Sequence, residues 1–214
     1  NTLVKHARHP VLILTDANVL LQQDTLKNLV RHFVNEDTGL VDTRLEPAGK
    51  FHTGITFEEI QYTSREFRIK YREGILYGMI MGPSGACFAV RKSLYRPVPP
   101  AFLVDDFFIC LQVLQNGKKA IADPEAIVYE DTIEKFSEAF RRKIRIAAGN
   151  FQNLTYFRKM LCNIFTPAGF LFWSHKGLRW FGPFLLLITL ISNRSATIPV
   201  FLYIFIFKSV GNMK

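Results

Sequence analysis

Two oxygen-bearing side chains follow a short apolar run near the start of the chain. The run 11–14 leads through Thr15 into Asp16 and Asn18. Such a run predicts a buried strand of a parallel sheet, and open α/β sheets bind ligands beyond the carboxyl ends of their strands. Asp16 and Asn18 share one side of the strand tip, and their oxygens suit a hard divalent cation that in turn holds a phosphate. The alternative is a strand-to-helix turn, where Asp and Asn bond to local backbone.

Two adjacent carboxylates, Asp105 and Asp106, stand at the predicted start of a helix that Gly117 ends. The dipole of that helix stabilises anions at this position. Both side chains could simply cap the helix. Alternatively, Asp105 caps it and Asp106 directs its carboxylate to a site, where it could accept a proton from an attacking hydroxyl group.

A third group lies on one face of a long helix predicted over residues 133–160. Arg142, Arg145, Gly149 and Gln152 follow one another at spacings of three and four residues. Two arginines one turn apart repel unless an anion lies between them, and a helical glycine costs about 1 kcal/mol relative to alanine. The glycine therefore indicates close approach of a ligand or of a neighbouring backbone. A solvated basic face is the alternative, but the Gly and Gln on the same face favour a diphosphate clamp.

Alternating strand and helix patterns connect these groups and predict an α/β sandwich. Strands are predicted over 11–14, 39–43, 86–90 and 119–129, the last broken by Asp123 and Pro124, with a tight loop over 82–85. Asp24 is the predicted N-cap of the first helix, whose buried face comprises Leu26, Leu29, Val30 and Phe33. A second helix is predicted over 57–76.

Composition restricts the partners. The net charge is +9, and many of the bases fall between residues 141 and 179, which points to the phosphates of a substrate or of a lipid surface. No nucleic acid partner is expected, because no binding motif accompanies the charge. Three widely spaced cysteines form neither a zinc pattern nor a disulfide framework, and we interpret them as reduced core residues.

The C-terminal part of the sequence differs from the rest. Residues 170–180 interleave aromatic and basic side chains, as in a helix that lies in a membrane interface. The apolar blocks 180–191 and 196–207 are each shorter than the ~18–20 residues of a membrane span. Together they predict an imperfect span, a re-entrant hairpin or a truncated span. We divide the chain into a partial catalytic domain, 1–165, and a membrane-interface and transmembrane segment, 166–214.

Four motifs in order resemble the second half of a family 2 glycosyltransferase, of the branch that includes cellulose, hyaluronan and chitin synthases. Residues 14–18 resemble its Asp-x-Asp motif, with Asn18 in the last place. Residues 82–92 resemble its acceptor-side loop and strand, and 104–106 resemble its Thr-Glu-Asp motif. Residues 142–146 fall where that family has Gln-x-x-Arg-Trp. Ile146 replaces the Trp associated with holding a polymer end, which favours single-sugar transfer over long-chain synthesis.

This resemblance implies a GT-A-like, Rossmann-like mixed sheet flanked by helices and followed by interfacial or transmembrane helices. The fold would be incomplete at the N-terminus, because nothing before Val11 resembles the family's nucleotide-base pocket. It implies inverting transfer of a sugar from a nucleotide-diphosphate donor to a hydroxyl acceptor, a polysaccharide or a lipid-linked glycan. The reaction would take place at the cytoplasmic face of a membrane, in contact with membrane lipid.

The resemblance also assigns roles to single residues. Asp16 and Asn18 would hold Mg²⁺ or Mn²⁺, Asp106 would be the catalytic base, and the remaining residues would bind substrate: Ser84 and Gly85 in the acceptor channel, Asp105, and Arg142, Arg145 and Gln152 on the long helix. Two other classes stay open. A different metal-dependent phosphoryl enzyme would use Asp16 as its nucleophile. A non-catalytic membrane-bound subunit would account for Asn18, Arg142 and Ile146.

Overall fold

The architecture is a mixed sheet with helices, seen in a computed structural model that describes residues 1–48, 55–130 and 136–192. Within these ranges five strands form one sheet in the order β1-β4-β3-β5-β2. Only β3 and β5 pair in parallel, and the other neighbours are antiparallel. The predicted mixed α/β fold is confirmed in this part of the chain. The strands are β1 Val11–Thr15, β2 Val19–Leu21, β3 Thr38–Pro47, β4 Cys87–Arg91 and β5 Lys119–Glu130.

The described chain divides into two compact units, the first ending at Phe172 and the second beginning at Trp173. The helices of the first unit are α1 Thr2–His6, α2 Thr25–Arg31, α3 Ile55–Tyr77, α4 Asp105–Gln115, α5 Phe136–Tyr156, α6 Arg158–Leu161 and α7 Pro167–Phe172, with short 3₁₀ turns at His32–Val34 and Lys92–Leu94. The second unit has a π-helical turn, Trp173–Gly177, followed by α8, Leu178–Ser192.

Strand β1 differs from its prediction. It pairs antiparallel with β4, Val11 opposite Arg91 and Thr15 opposite Cys87, and it lies at one edge of the described sheet. Of its residues only Leu12 is buried. The prediction of a buried strand in a parallel sheet is therefore wrong, because an apolar run carries no information about the direction of its partner. The strand leads through residues 16–18 into β2 rather than into a helix.

The break predicted at Asp123 and Pro124 is an irregularity inside one continuous strand. The pairing of β3 with β5 jumps from Asp42–Ala122 to Arg44–Ile127, which is how a sheet accommodates extra residues. The Asp123 carboxylate is buried there, 3.0 Å from Arg31 Nη2 and 2.7 Å from His32 Nε2. This polar cluster attaches α2 to the sheet.

The buried face of α2 is only partly the predicted one. Leu29 and Phe33 are buried, whereas Leu26 and Val30 are exposed. Thr25 is buried instead and its hydroxyl donates to the Ile127 carbonyl. Asp24 occupies the N-cap position, but its side chain makes no capping hydrogen bond.

Helix α5 turns its small and polar residues inward. Ala139, Asn150, Asn153 and Phe157 are buried, the last in the turn that follows the helix. The helical spacing of Phe140, Ile144 and Phe151 predicts an apolar stripe on this helix, yet each of the three residues is more than half exposed. Hydrophobic periodicity identified this helix correctly but did not identify the face that packs on the protein.

The cysteines differ in accessibility, which gives a simple test of the fold. Cys87 and Cys110 are buried and Cys162 is exposed, so only two of the three are core residues. Burial raises the pKa of the Cys87 thiol to about 11, so the reactive thiolate is scarce at pH 8.

We expect one thiol to react rapidly with an aromatic disulfide reagent at pH 8, and all three to react in guanidinium. A Cys162→Ser variant should lose the rapid phase while its slow thiols remain. Rapid reaction of two or more thiols in the folded protein would contradict this packing.

Helices of the described residues are all too short or too polar to cross a membrane. The apolar block 180–191 lies in α8, whose side chains at Phe184, Leu186 and Ile191 are largely exposed. The second block, 196–207, lies outside the described residues, so the predicted transmembrane segment stays a prediction there.

Candidate active site

Asp16, the first candidate metal-binding residue, lies where the end of β1 meets the loop that precedes β4. The Asp16 amide donates to the Ala86 carbonyl, 2.9 Å away. This bond extends the antiparallel ladder one residue beyond the Thr15–Cys87 pair. The exposed side chain of Asp16 therefore belongs to a residue directly beside the Gly85–Ala86 backbone.

The same loop contacts the second candidate group. Gly85 has φ +85°, and a Cβ atom built on it would lie 2.8 Å from Asp106 Oδ2. The backbone of Gly85 thus lies against the Asp106 carboxylate, and its positive φ favours glycine at this position. The tight loop and the start of α4, which are separate in sequence, form one surface.

The two carboxylates at the start of α4 both cap the helix, and that of Asp106 also contacts the Gly85 loop. Asp105 Oδ1 accepts from the Asp106 amide at 3.0 Å, and Asp106 Oδ1 accepts from the Phe107 amide at 2.7 Å. Both side chains therefore satisfy amides of the first turn, which otherwise lack partners. Asp106 in addition presents Oδ2 to the Gly85 loop.

Asn18 and Arg142 meet at a residue that the sequence did not single out. The Asn18 amide Nδ2 donates to Glu130 Oε1 at 3.2 Å, and Arg142 Nη2 lies 3.9 Å from Glu130 Oε2. The pairing of β2 with β5 places Val19 opposite Glu130, which brings Asn18 to that carboxylate. A long, partly exposed ion pair contributes little stability. The contact with Glu130 instead places Arg142 close to Asn18. The one feature of the sequence that could have identified Glu130 is an acidic residue at the end of a predicted strand.

These contacts form a continuous series. Arg142 and Asn18 both contact Glu130. Asp16 lies two residues before Asn18 in the chain and its amide donates to the Ala86 carbonyl, while the neighbouring Gly85 lies against Asp106. Residues from five separate stretches of sequence therefore lie near the ends of β1 and β5. The contacts therefore link Asp16 and Asn18 of the first predicted group, Asp106 of the second and Arg142 of the third.

Gln152 and Gly149 both contact the segment 101–104. Gln152 Oε1 accepts from the Leu103 amide and Nε2 donates to the Ala101 carbonyl, both at 3.0 Å. A Cβ atom on Gly149 would come within 2.4 Å of Val104 Cγ2 and 3.0 Å of the Val104 backbone nitrogen. The close approach that Gly149 indicated is thus to a neighbouring backbone, the second of the two possibilities that the sequence left open.

Asn153, which sequence reasoning missed, completes this attachment. It is fully buried, and its Nδ2 donates to the Val104 carbonyl at 3.1 Å and to the Gly149 carbonyl at 3.0 Å. Helix α5 therefore holds residues 101–104, the segment that leads directly into Asp105 and Asp106. Arg145 lies on the same helix with an exposed side chain.

The predicted divalent cation can be tested against the donors present. The described residues contain no group of three or more acidic, histidine or cysteine side chains placed to hold a metal. Mg²⁺ is commonly bound through one or two carboxylates together with substrate phosphates. The Asp16 carboxylate fits this pattern, with the amide oxygen of Asn18 as a second ligand from the protein. Since the Asn18 nitrogen donates to Glu130, its carbonyl oxygen is the atom that could bind a cation.

Comparisons with known proteins give the fold and the family. The chain resembles the mannosyltransferase PcManGT from Pyrobaculum calidifontis, solved in complex with GDP-Man and Mn²⁺, with 18% identity and a TM-score of 0.50. The match covers 92% of this chain and 64% of the mannosyltransferase, so this chain corresponds to less than two thirds of that protein. At this identity the likeness shows a GT-A-like fold alone.

A second structure, mannosyl-3-phosphoglycerate synthase from Rubrobacter xylanophilus, aligns with 13% identity and a TM-score of 0.46, over 73% of this chain and 50% of the other. Curated protein sequences gave no match. The profile described as glycosyl transferase family 21 matches residues 1–202. The prediction of a glycosyltransferase family is confirmed, and the narrower assignment to family 2 is not. The chain belongs to glycosyl transferase family 21.

Proposed function

We propose that this protein transfers a sugar from a nucleotide-diphosphate donor to a hydroxyl acceptor with inversion at the anomeric carbon. The observation that carries the proposal is the series of contacts from Arg142 through Glu130 and Asn18 to Asp16, Gly85 and Asp106. It links two carboxylates, an amide and a guanidinium group, to which we assign the roles of base, metal ligands and diphosphate donor. Membership of the family supports this reaction class.

The proposed step is a single displacement. The acceptor oxygen bonds to the anomeric carbon while the bond from that carbon to the diphosphate oxygen breaks, and the nucleoside diphosphate leaves with the bonding electrons. Asp106 takes the acceptor proton, which requires hydrogen-bond reach to the hydroxyl group. Inversion needs only this one carboxylate, because no covalent enzyme intermediate forms.

Stabilisation of the leaving diphosphate falls to the arginines of α5. Arg142 is oriented by Glu130 beside Asn18, and Arg145 follows it by one turn. Guanidinium groups suit this task because they donate two parallel hydrogen bonds to phosphate oxygens. A Mg²⁺ or Mn²⁺ ion held by Asp16 and Asn18 would add charge neutralisation at the same diphosphate.

We place the acceptor beside Ser84 and Gly85 and the reaction at the cytoplasmic face of a membrane, with a polysaccharide or lipid-linked acceptor. The second unit supports a membrane surface, since α8 exposes Phe181, Phe184 and Leu186 after the basic residue Arg179. Exposed apolar and aromatic side chains beside bases favour the interface of an anionic bilayer. Domain limits at 1–165 and 166–214 belong to this proposal.

The arginine clamp makes a testable prediction about donor binding. Arg145→Ala should raise the donor Kd about 10- to 100-fold, because a hydrogen bond to a charged group contributes about 1.5–3 kcal/mol. Calorimetry with GDP-mannose and Mn²⁺ is a suitable first measurement, since that pair occupies the similar mannosyltransferase. Arg141→Ala, an exposed arginine on the same helix, is the matched control and should leave Kd unchanged. Equal effects of the two variants would remove Arg145 from the site.

Product analysis separates the reaction classes. The intact protein, incubated with a set of nucleotide sugars and Mn²⁺, should form a glycosylated acceptor with inverted anomeric configuration. Donor hydrolysis without transfer, accompanied by phosphorylated Asp16, would instead support the phosphoryl enzyme. Absence of donor binding across the set would support the non-catalytic subunit, for which Asn18, Arg142 and Ile146 are the sequence arguments.

A further inference from the structure

The loop that contacts Asp106 is held by a buried ion pair far from it in sequence. Asp42, on β3, is fully buried, and its Oδ2 accepts from Lys70 Nζ of α3 at 2.7 Å. Its Oδ1 accepts from both the amide and the hydroxyl of Ser84, each at 2.9 Å. One carboxylate therefore joins a strand, a helix and the loop 82–85.

Stability alone does not explain this arrangement. Replacing a buried ion pair by apolar residues of similar volume is often neutral or stabilising, since the desolvation cost of two charges is large. What the pair does achieve is to leave Asp42 Oδ1 as an ionised acceptor for the two donors of Ser84. Charge-assisted hydrogen bonds of this kind are about twice as strong as neutral ones.

The loop needs such an attachment because of its backbone. Gly82 and Gly85 have φ +97° and +85°. Glycine adopts positive φ about as readily as negative φ, so its own backbone does not hold the loop in this conformation. Ser84 lies between them, and its amide is held by Asp42 rather than by a neighbouring strand. The position of Gly85 against Asp106 Oδ2 is therefore held on one side by the Ser84–Asp42 contact and on the other by the Asp16–Ala86 hydrogen bond.

We propose that Asp42 is a positioning residue that, through Ser84 and Gly85, fixes the orientation of the Asp106 carboxylate. The proposal rests on the proposed function, because it assigns Asp42 to the base of that reaction. Asp42 touches neither substrate nor cation in this scheme. Its effect is expected on kcat, since misplacement of a reacting group by about 1 Å costs on the order of 100-fold in rate.

A pair of double variants separates positioning from the ion pair itself. Asp42→Asn/Lys70→Met removes both charges but keeps a side-chain oxygen that accepts from Ser84. Asp42→Leu/Lys70→Met removes the charges and the acceptor at similar volume. We expect the Asn variant to stay within about threefold of the wild-type kcat and the Leu variant to lose about 100-fold, with donor Kd unchanged in both.

Two further readouts make the comparison decisive. The Ser84 amide resonance should shift much further in the Leu variant than in the Asn variant, because the Asn variant weakens the hydrogen bonds from Ser84 whereas the Leu variant removes them. Circular dichroism and thermal unfolding identify any variant that does not fold. Should leucine not be tolerated, Asp42→Ala/Lys70→Met makes the same comparison against the Asn variant.

Each outcome is assignable. A folded Leu variant with wild-type kcat, or equal losses in both variants, overturns the role of Asp42 while the transferase proposal stands. A wild-type protein that transfers no sugar overturns the proposed function itself. Rescue of kcat by the Asn variant, together with the Ser84 shift, supports Asp42 as the positioning residue.

Discussion

Replacing Asp106 with asparagine is expected to lower kcat for sugar transfer by about 10²–10⁴-fold, the usual contribution of a general base. The asparagine cannot take up the acceptor proton. Its Oδ1 can still accept from the Phe107 amide, as Asp106 Oδ1 does at 2.7 Å, so the start of α4 should remain folded. Donor Kd should be unchanged, because the diphosphate is assigned to other residues.

Asp105→Asn is the matched control for this change. Asp105 is the adjacent carboxylate in the same helical turn, and its Oδ1 accepts from the Asp106 amide at 3.0 Å. An asparagine oxygen can make that bond too, and Asp105 is assigned only to substrate binding, so we expect its effect in KM and a much smaller loss of kcat than in Asp106→Asn. Steady-state rates and calorimetry on both variants decide the assignment. Retained turnover in Asp106→Asn, or an equal loss in Asp105→Asn, would exclude Asp106 as the base.

The second large effect is expected from Gly85→Ala. The new Cβ atom would lie 2.8 Å from Asp106 Oδ2 at a backbone φ of +85°. We expect a loss of about 1–2 kcal/mol in the free energy of unfolding from the left-handed backbone alone. In addition, displacement of the carboxylate should lower kcat on the order of 100-fold.

Gly117→Ala provides the control for backbone strain. Gly117 has φ +70°, and a Cβ atom there would meet nothing within 4 Å. Both variants should lose comparable stability in chemical denaturation, whereas only Gly85→Ala should lose kcat. If Gly117→Ala reduced kcat as strongly, strain rather than contact with Asp106 would account for the loss.

Local sequence patterns were sufficient for the types and limits of most secondary structure. Helical periodicity with end signals identified α4, from Asp105 to the turn at Gly117, and apolar runs identified β3, β4 and β5. These features depend on neighbouring residues, whose spacing the sequence records directly. The order of the motifs was likewise enough to indicate a glycosyltransferase family, which the family match confirms.

The partners of single side chains were decided only by the tertiary structure. Gln152 and Gly149 share a helix face with Arg142 in the sequence, yet they contact the segment 101–104 while Arg142 faces Glu130. The antiparallel pairing of β1 and the hydrogen bond from Ser84 to Asp42 also cannot be predicted from the linear sequence. Strand direction and contacts between distant residues depend on how the chain returns on itself, which no local spacing records.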